Sequence, residues 1–370
     1  MKKLLLILSL FASLSLEAQF VTTFAKNTSE TQEDGVFYYL PRNVIRLEFT
    51  IEETDYYIGP YAEFATKLLG TTDYIKENKS VFNIQAVDIQ AVNDIDPNAV
   101  YCISPDEKSK EPLPNIILNN DGIILALGYD NVNPIEVVTR NSFNDNYLDA
   151  EKNEISFVEI LDNEVELDDD DDDDEEEGSS HKKITKEDKA KAALEKISKI
   201  REAYSDLVSG VQEVAYGNTL PYMIDNVKSL ENEYVSLFKG KTVKSTYKKV
   251  IYYVPEENQV NASVSIAKLS STDGIVEVGG KGEAIKIQFD SRNSLANINP
   301  MSDDANKTGQ INKIFYRIPA VTDVKILVGN KVFAEKSLTI SQFGIIKTMS
   351  AKNNKILFNP NTGQIISVSH

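Results

Sequence analysis

The sequence predicts an α+β protein that is mostly β. β-sandwich-like N- and C-terminal domains are expected, separated by an acidic linker and a long antiparallel helical hairpin. Three observations predict this. A strand ending in proline is written three times, as VFYYLP at 36–41, VIYYVP at 250–255 and IFYRIP at 314–319. Two apolar stripes of helical period fall between the first and second copies, and a run of ten acidic residues, DDDDDDDEEE at 168–177, precedes them.

The chain opens MKKLLLILSLFASLSLEAQF. Lys2 and Lys3 form a positive start, and residues 4–16 an apolar core too short to span a bilayer comfortably. Residues 1–18 therefore read as a secretory signal peptide cleaved after Ala18. No cysteine lies near that point, so no lipid anchor is expected, and no later run approaches the roughly 18 apolar residues of a membrane helix. The expectation is export across the inner membrane to the periplasm or the outer membrane.

Residues 19–35 are polar and read as a flexible N-terminus. Residues 36–160 read as an N-terminal β-rich domain. VFYYLP and VIRLEFTIEET are expected as two strands broken at Pro41, because proline has no N–H for the ladder. In GPYAEFATKLLG, Pro60 suits the first helical position and Gly70 the residue past the end, giving a short helix over 60–69. Asp121-Gly122 sits between two apolar runs and predicts a hairpin.

The acid run falls in a linker over 161–183, since ten like charges repel and do not pack. Its composition lacks the interleaved glycine of a defined calcium loop. Residues 184–240 read as the helical hairpin. Thr185 and Asp188 give a capping-box pattern, and Leu194, Ile197, Ile200, Tyr204 and Leu207 begin one stripe. Leu220, Ile224, Val227, Leu230 and Tyr234 form the second, and Gly240 ends it. The first helix is lysine-rich at its start, so the acid run is expected to lie along it under salt control. From 241 to 370 short strands alternate with turns, the mark of a β-sandwich-like C-terminal region. NIILNNDGIILAL at 115–127 resembles KILFNPNTGQIISV at 355–368, which raises duplication of two β-domains against convergent strand punctuation.

The chemistry is mostly one of exclusion. The net charge is −18, so the basic surface that nucleic-acid binding needs is missing. There are two histidines, His181 in the linker and His370 at the last position, which argues against His-based nucleophile systems and His-ligated metals. The single cysteine, Cys102, sits in the apolar run AVYCIS and reads as a buried small hydrophobe. No phosphate-binding glycine motif occurs, and no catalytic, metal or cofactor residues are assigned. Carboxylate-pair hydrolysis survives this filter, with nothing to mark the pair. Tyr56, Tyr57 and Tyr61, beside Gly59-Pro60, are a candidate interaction surface, weighed against the commoner packing role of such rings.

The segments VFYYLPRNVIRLEFTIEET, IGPYAEFATKLLG, LENEYVSLFKGK, KIFYRIPA, LTISQFG and LFNPNTGQI together resemble an uncharacterised family of secreted envelope proteins of Gram-negative bacteria. It is a domain of unknown function numbered forty-eight thirty-one. The resemblance covers nearly the whole chain after residue 18, and the acidic insert is particular to this member. It implies location and architecture, not an activity. The expected function is a non-enzymatic envelope scaffold or protein-interaction module whose partner is another envelope protein. A glycan-binding β-sandwich is the alternative, a carboxylate-based glycoside hydrolase stands third, and a secretion-signal role for the C-terminal β-unit stands last.

Overall fold

The computed structural model describes residues 19–25, 35–133, 135–145, 155–165, 183–209, 217–292, 295, 298 and 309–370. The expected signal peptide, residues 1–18, and the acid run, 168–177, lie outside the described residues.

The first half holds β1 (Phe20–Phe24), β2 (Val36–Tyr57), the short helix α1 (Ala65–Leu68), β3 (Lys79–Pro105), β4 (Ile116–Leu118) and β5 (Ile124–Leu127). Helices α2 (Lys186–Ser209) and α3 (Leu220–Lys239) follow. The rest is β6 (Lys241–Tyr253), β7 (Ser263–Ser270), β8 (Gly274–Val276), β9 (Glu283–Ser291), β10 (Gln310–Ile311), β11 (Lys313–Val328), β12 (Lys331–Ser350), β13 (Lys355–Phe358) and β14 (Ile365–Ser369). The strands form three antiparallel sheets, in the orders β10-β1-β3-β2-β6, β12-β11-β9-β7-β8 and β14-β13-β5-β4.

Residues 20–24 of the expected flexible N-terminus instead form β1, paired with β3 and β10 with Phe20 buried, and the sheet order corrects two further expectations. The sheets do not divide at residue 241. β6 completes the first sheet by pairing with β2 from Ile45↔Tyr253 to Tyr57↔Lys241, and β13 joins β5 in the third. The physical cause is the length of β2, 22 residues, whose open side offers a long row of unpaired backbone groups. The two similar hairpins, at 115–127 and 355–368, are likewise neighbours in one sheet rather than equivalents in separate domains.

The second correction concerns proline. Pro41 and Pro319 do not end strands. β2 and β11 run through them, and each proline marks a register shift against its neighbour, at Tyr39/Pro41 and Ile318/Ala320. A residue that cannot donate to the ladder is tolerated at a bulge, where the strand bends and pairing resumes. Only the second copy ends its strand, since β6 stops at Tyr253 before Pro255.

The bends send each long strand into two cores. Beyond Pro41, Ile45, Leu47, Phe49 and Ile51 pack with Ile287, Phe289, Val324 and Ile326 of the second sheet. Before it, Tyr38 and Leu40 pack with Tyr101, Phe315, Ile356 and Phe358. All of these residues are at most 1 % exposed, and each fully buried side chain contributes about 1.5–3 kcal/mol of transfer free energy. The Tyr38 hydroxyl accepts from the Phe315 N–H at 3.0 Å, so the first and third pattern copies touch.

A third core seats the helices. Ala190, Ala193 and Ile197 of α2 and Leu237 and Phe238 of α3 close over Tyr61 and Ala65. The capping box at the start of α2 forms as expected: the Asp188 N–H donates to Thr185 Oγ1 at 3.2 Å, and the Thr185 N–H to Asp188 Oδ2 at 2.9 Å. Gly240 stops α3 at φ 86°, and a Cβ there would meet the Tyr57 carbonyl at 2.3 Å. α2 and α3 touch along their exposed length, where Arg201 pairs with Glu231 at 2.7 Å and Lys228 Nζ lies 5.4 Å over the Tyr204 ring.

Candidate functional site: the polar corner at Pro41

The register shift at Pro41 is wide. Tyr39 stands opposite Val100 and Pro41 opposite Ile95, so Leu40 alone faces Asp96, Pro97, Asn98 and Ala99. β3 must bulge outward there, and the polar-rich run Asn93-Asp94-Ile95-Asp96-Pro97-Asn98 breaks the alternation of apolar and polar residues along the strand. Bulges re-aim side chains, and this one lies between two clefts.

The first cleft, about 620 Å³, is lined by Arg42, Asp96, Asn98, Pro255, Glu256 and Gln342, among others. Its wall is held by amides. The Asn43 N–H donates to Gln342 Oε1 at 3.0 Å, and Gln342 Nε2 donates back to the Asn43 carbonyl at 2.7 Å and to the Pro255 carbonyl at 3.1 Å. Ser341 donates to Asn43 Oδ1 from its N–H at 2.8 Å and from its hydroxyl at 2.7 Å. Gln342 of β12 thus ties Asn43, beside the first proline corner, to Pro255 of the second. Beneath the cleft Asp96 accepts from the Arg317 guanidinium, and these side chains are only 8 % and 2 % exposed. Arg317 Nε is buried without a hydrogen-bond partner.

The second cleft, about 340 Å³, has Asn93, Asp94, Asp121, Thr139, Arg140 and Asn141 in its wall. Asp94 separates the two clefts and accepts from Arg42 at 2.8 Å. The outer wall is a strap, 139–145, laid across the first sheet. Arg46, 2 % exposed, anchors it by donating to Asp145 Oδ1 at 2.6 Å and to Glu48 Oε2 at 2.6 Å beneath the Phe143 ring. Burial alone would lower the Arg46 pKa, but the hydrogen bonds to Asp145 and Glu48 outweigh it and keep the guanidinium charged. The same bond from Arg46 holds the Asp145 carboxyl below the usual carboxylate range. The Tyr252 hydroxyl also donates to Asp145, and the Arg140 guanidinium lies 4.7 Å over the Tyr252 ring.

The three tyrosines singled out from the sequence do not form one surface. Strand alternation sends Tyr56 and Tyr57 to opposite faces of β2. Tyr56 is half-buried and lines a separate cleft of about 430 Å³ with Tyr74, Lys76 and Lys79, with Lys79 Nζ lying 5.6 Å over its ring. Tyr61 is 6 % exposed, packs 5.8 Å from the Phe238 ring, and has its hydroxyl pKa raised by burial. It belongs to the core that seats the helices. Cys102 is buried, as its apolar run predicts, and burial raises its thiol pKa.

The corner residues were not singled out from the sequence. The signal available was the polar run with an internal proline inside a strand pattern. Among the described residues no group of three or more His, Cys, Asp or Glu could hold a metal ion, and no helix is long and apolar enough to cross a membrane.

A family model described as "Domain of unknown function (DUF4831)" matches residues 34–366. The chain belongs to that family. No curated protein and no solved structure matches it. The DUF4831 match begins just before β2 and extends into β14, so it takes in the bulge, both clefts, the strap and the helices.

Proposed function

We propose that this DUF4831 protein is a non-enzymatic envelope protein that acts as a scaffold or interaction module, exported by its leader and engaging another envelope protein through α2 and α3. In this reading the two helices form a hairpin arm, the facing sheets behave as a β-sandwich body, and the acid run is a solvated linker at the arm's base.

One observation carries the reading. No residue of α2 beyond Ile197 is buried, and no residue of α3 before Ser236. Yet both stripes continue. Ile200, Tyr204, Leu207, Ile224 and Val227 are half-buried, Val208 and Leu230 beside them are 56 % and 44 % exposed, and Tyr222, about 160° round α3 from Ile224, is 71 % exposed. Two helices alone leave part of an apolar stripe wider than about 100° uncovered. Exposed aromatic and aliphatic anchors of this kind mark protein contact sites.

The test is a double variant, Tyr222→Asp with Leu230→Asp, compared with wild type by co-purification from cross-linked envelope fractions. The expected result is loss of a specific partner with unchanged thermal stability. Retention of every co-purifying protein by the variant counts against the arm.

A further inference from the structure

Beyond the helical arm, the second cleft at the Pro41 corner carries its own signal. Asn93 is 5 % exposed and lines that cleft. Its backbone N–H is used, donating to the Val138 carbonyl at 2.7 Å. Its side-chain Oδ1 is buried with no hydrogen-bond partner. Buried polar side-chain atoms are nearly always satisfied, so an orphan lining a cleft calls for an explanation. A carboxamide whose oxygen gives up no hydrogen bond on turning toward the cleft is cheaply redeployed for a ligand.

We propose that this cleft binds a carbohydrate through its ring hydroxyls. The argument is one of charge and donor balance. Asn93 Oδ1 has no donor and Asp121 takes only a long bond from Asn119 at 3.4 Å, so both can accept from a ligand, while Asp94 is already met by Arg42 and the Ile95 N–H. Arg140 is donor-only, and Asn141 and Thr139 both donate and accept, so they suit a ligand that also accepts. A metal cation fits poorly, because Arg140 lines the same wall and Asp94 already holds Arg42. A phosphate or carboxylate fits poorly, because Asp94 and Asp121 bring two carboxylates to the lining of the same cleft. A neutral ligand with adjacent groups that donate and accept answers both sides, and vicinal hydroxyls are that chemistry. The volume, about 340 Å³, lies in the range of small-ligand sites. The larger cleft across the Arg42–Asp94 pair, with Asn98, Glu256 and Gln342, lies where the next sugar of a chain would extend. No aromatic platform lines the cleft, and the Tyr252 face beside it is covered by Arg140, so the affinity is weak.

The test is saturation-transfer NMR on the full mature chain with glucose, galactose, mannose, N-acetylglucosamine and their β-linked disaccharides, with calcium and inorganic phosphate as competitors. At least one sugar is expected to bind, and Asn93→Leu and Arg140→Ala each weaken it by about tenfold or more. Neither calcium nor phosphate displaces it. Asn93→Leu also holds or raises the melting temperature, because an orphaned buried oxygen is replaced by an apolar group of similar shape. That readout separates a residue reserved for a ligand from one that supports the fold. The proposal is overturned if no sugar binds, which leaves a water on Asn93. It is equally overturned if binding survives both variants, or if calcium or phosphate binds in the sugar's place.

Discussion

Asp96→Asn tests the ion pair beneath the polar corner. The substitution keeps an oxygen for the Asn98 N–H, which donates to Asp96 Oδ1 at 2.9 Å, removes the negative charge, and replaces the Oδ2 acceptor of the Arg317 bond with an NH2 donor. It leaves the Arg317 guanidinium, 2 % exposed and with Nε already unpartnered, without a counter-ion. Breaking a buried pair in this way costs about 3–5 kcal/mol. An unfolding entropy near 2.1 cal/mol/K per residue, over roughly 300 residues, converts this to a fall in melting temperature of about 5–8 °C. Thermal and urea unfolding followed by circular dichroism measure it. Replacing both partners, as Asp96→Leu with Arg317→Met, removes the charge and its counter-ion together and recovers most of the loss. The reasoning fails if Asp96→Asn stays within about 0.5 kcal/mol of wild type, the scale of an ordinary surface substitution. It also fails if the double variant is worse than either single one.

Asp145→Asn weakens the strap by about 1.5 kcal/mol, the low end for a hydrogen bond to a charged group, and raises hydrogen exchange over 139–145. Because the folded Asp145 pKa is depressed, its contribution is complete above the unfolded value and lost as pH falls through the folded one. The difference between wild type and variant is therefore full near neutrality and closes in acid below the usual carboxylate range, as pH-dependent denaturation shows. Tyr61→Ala costs about 3–5 kcal/mol as a buried aromatic truncation, whereas half-exposed Tyr56→Ala costs well under that, measured by the same unfolding curves. Gly240→Ala destabilises the α3–β6 junction, since its Cβ would need the space of the Tyr57 carbonyl at a φ of 86°, and the melting temperature falls.

Local chemistry was legible in the sequence. The capping box at Thr185 and Asp188, the stop at Gly240 and the Asp121-Gly122 turn each depend on a few neighbouring residues, and each stands where the sequence places it. The mostly β composition follows for the same reason. Pairing partners were not legible. Ile45 to Tyr57 take β6 as a neighbour nearly 200 residues away, and nothing in either segment names the other. Proline was read by its missing N–H alone, which is right about the ladder and silent about whether the strand resumes. The corner shows the same limit. Asn93, Asp94 and Asp96 are visible as polar interruptions of a strand, but their meaning depends on Arg317, 221 residues from Asp96, and on the strap, whose Asp145 is 99 residues from Arg46. The tyrosine cluster was the converse case. Sequence proximity grouped Tyr56, Tyr57 and Tyr61, while the strand period and the helix docking parted them.

Site-specific photo-crosslinking in the native host cell asks whether the exposed arm is where a partner binds. A photoreactive residue at position 222 or 230 of the arm is compared with one at Val332, an exposed β-strand position 48 % accessible on the second sheet. A partner-binding arm gives one reproducible protein adduct of the same mass from both arm positions, competed by unlabelled protein, and none from 332. Adducts that are the same from all three positions, or absent from 222 and 230, contradict it.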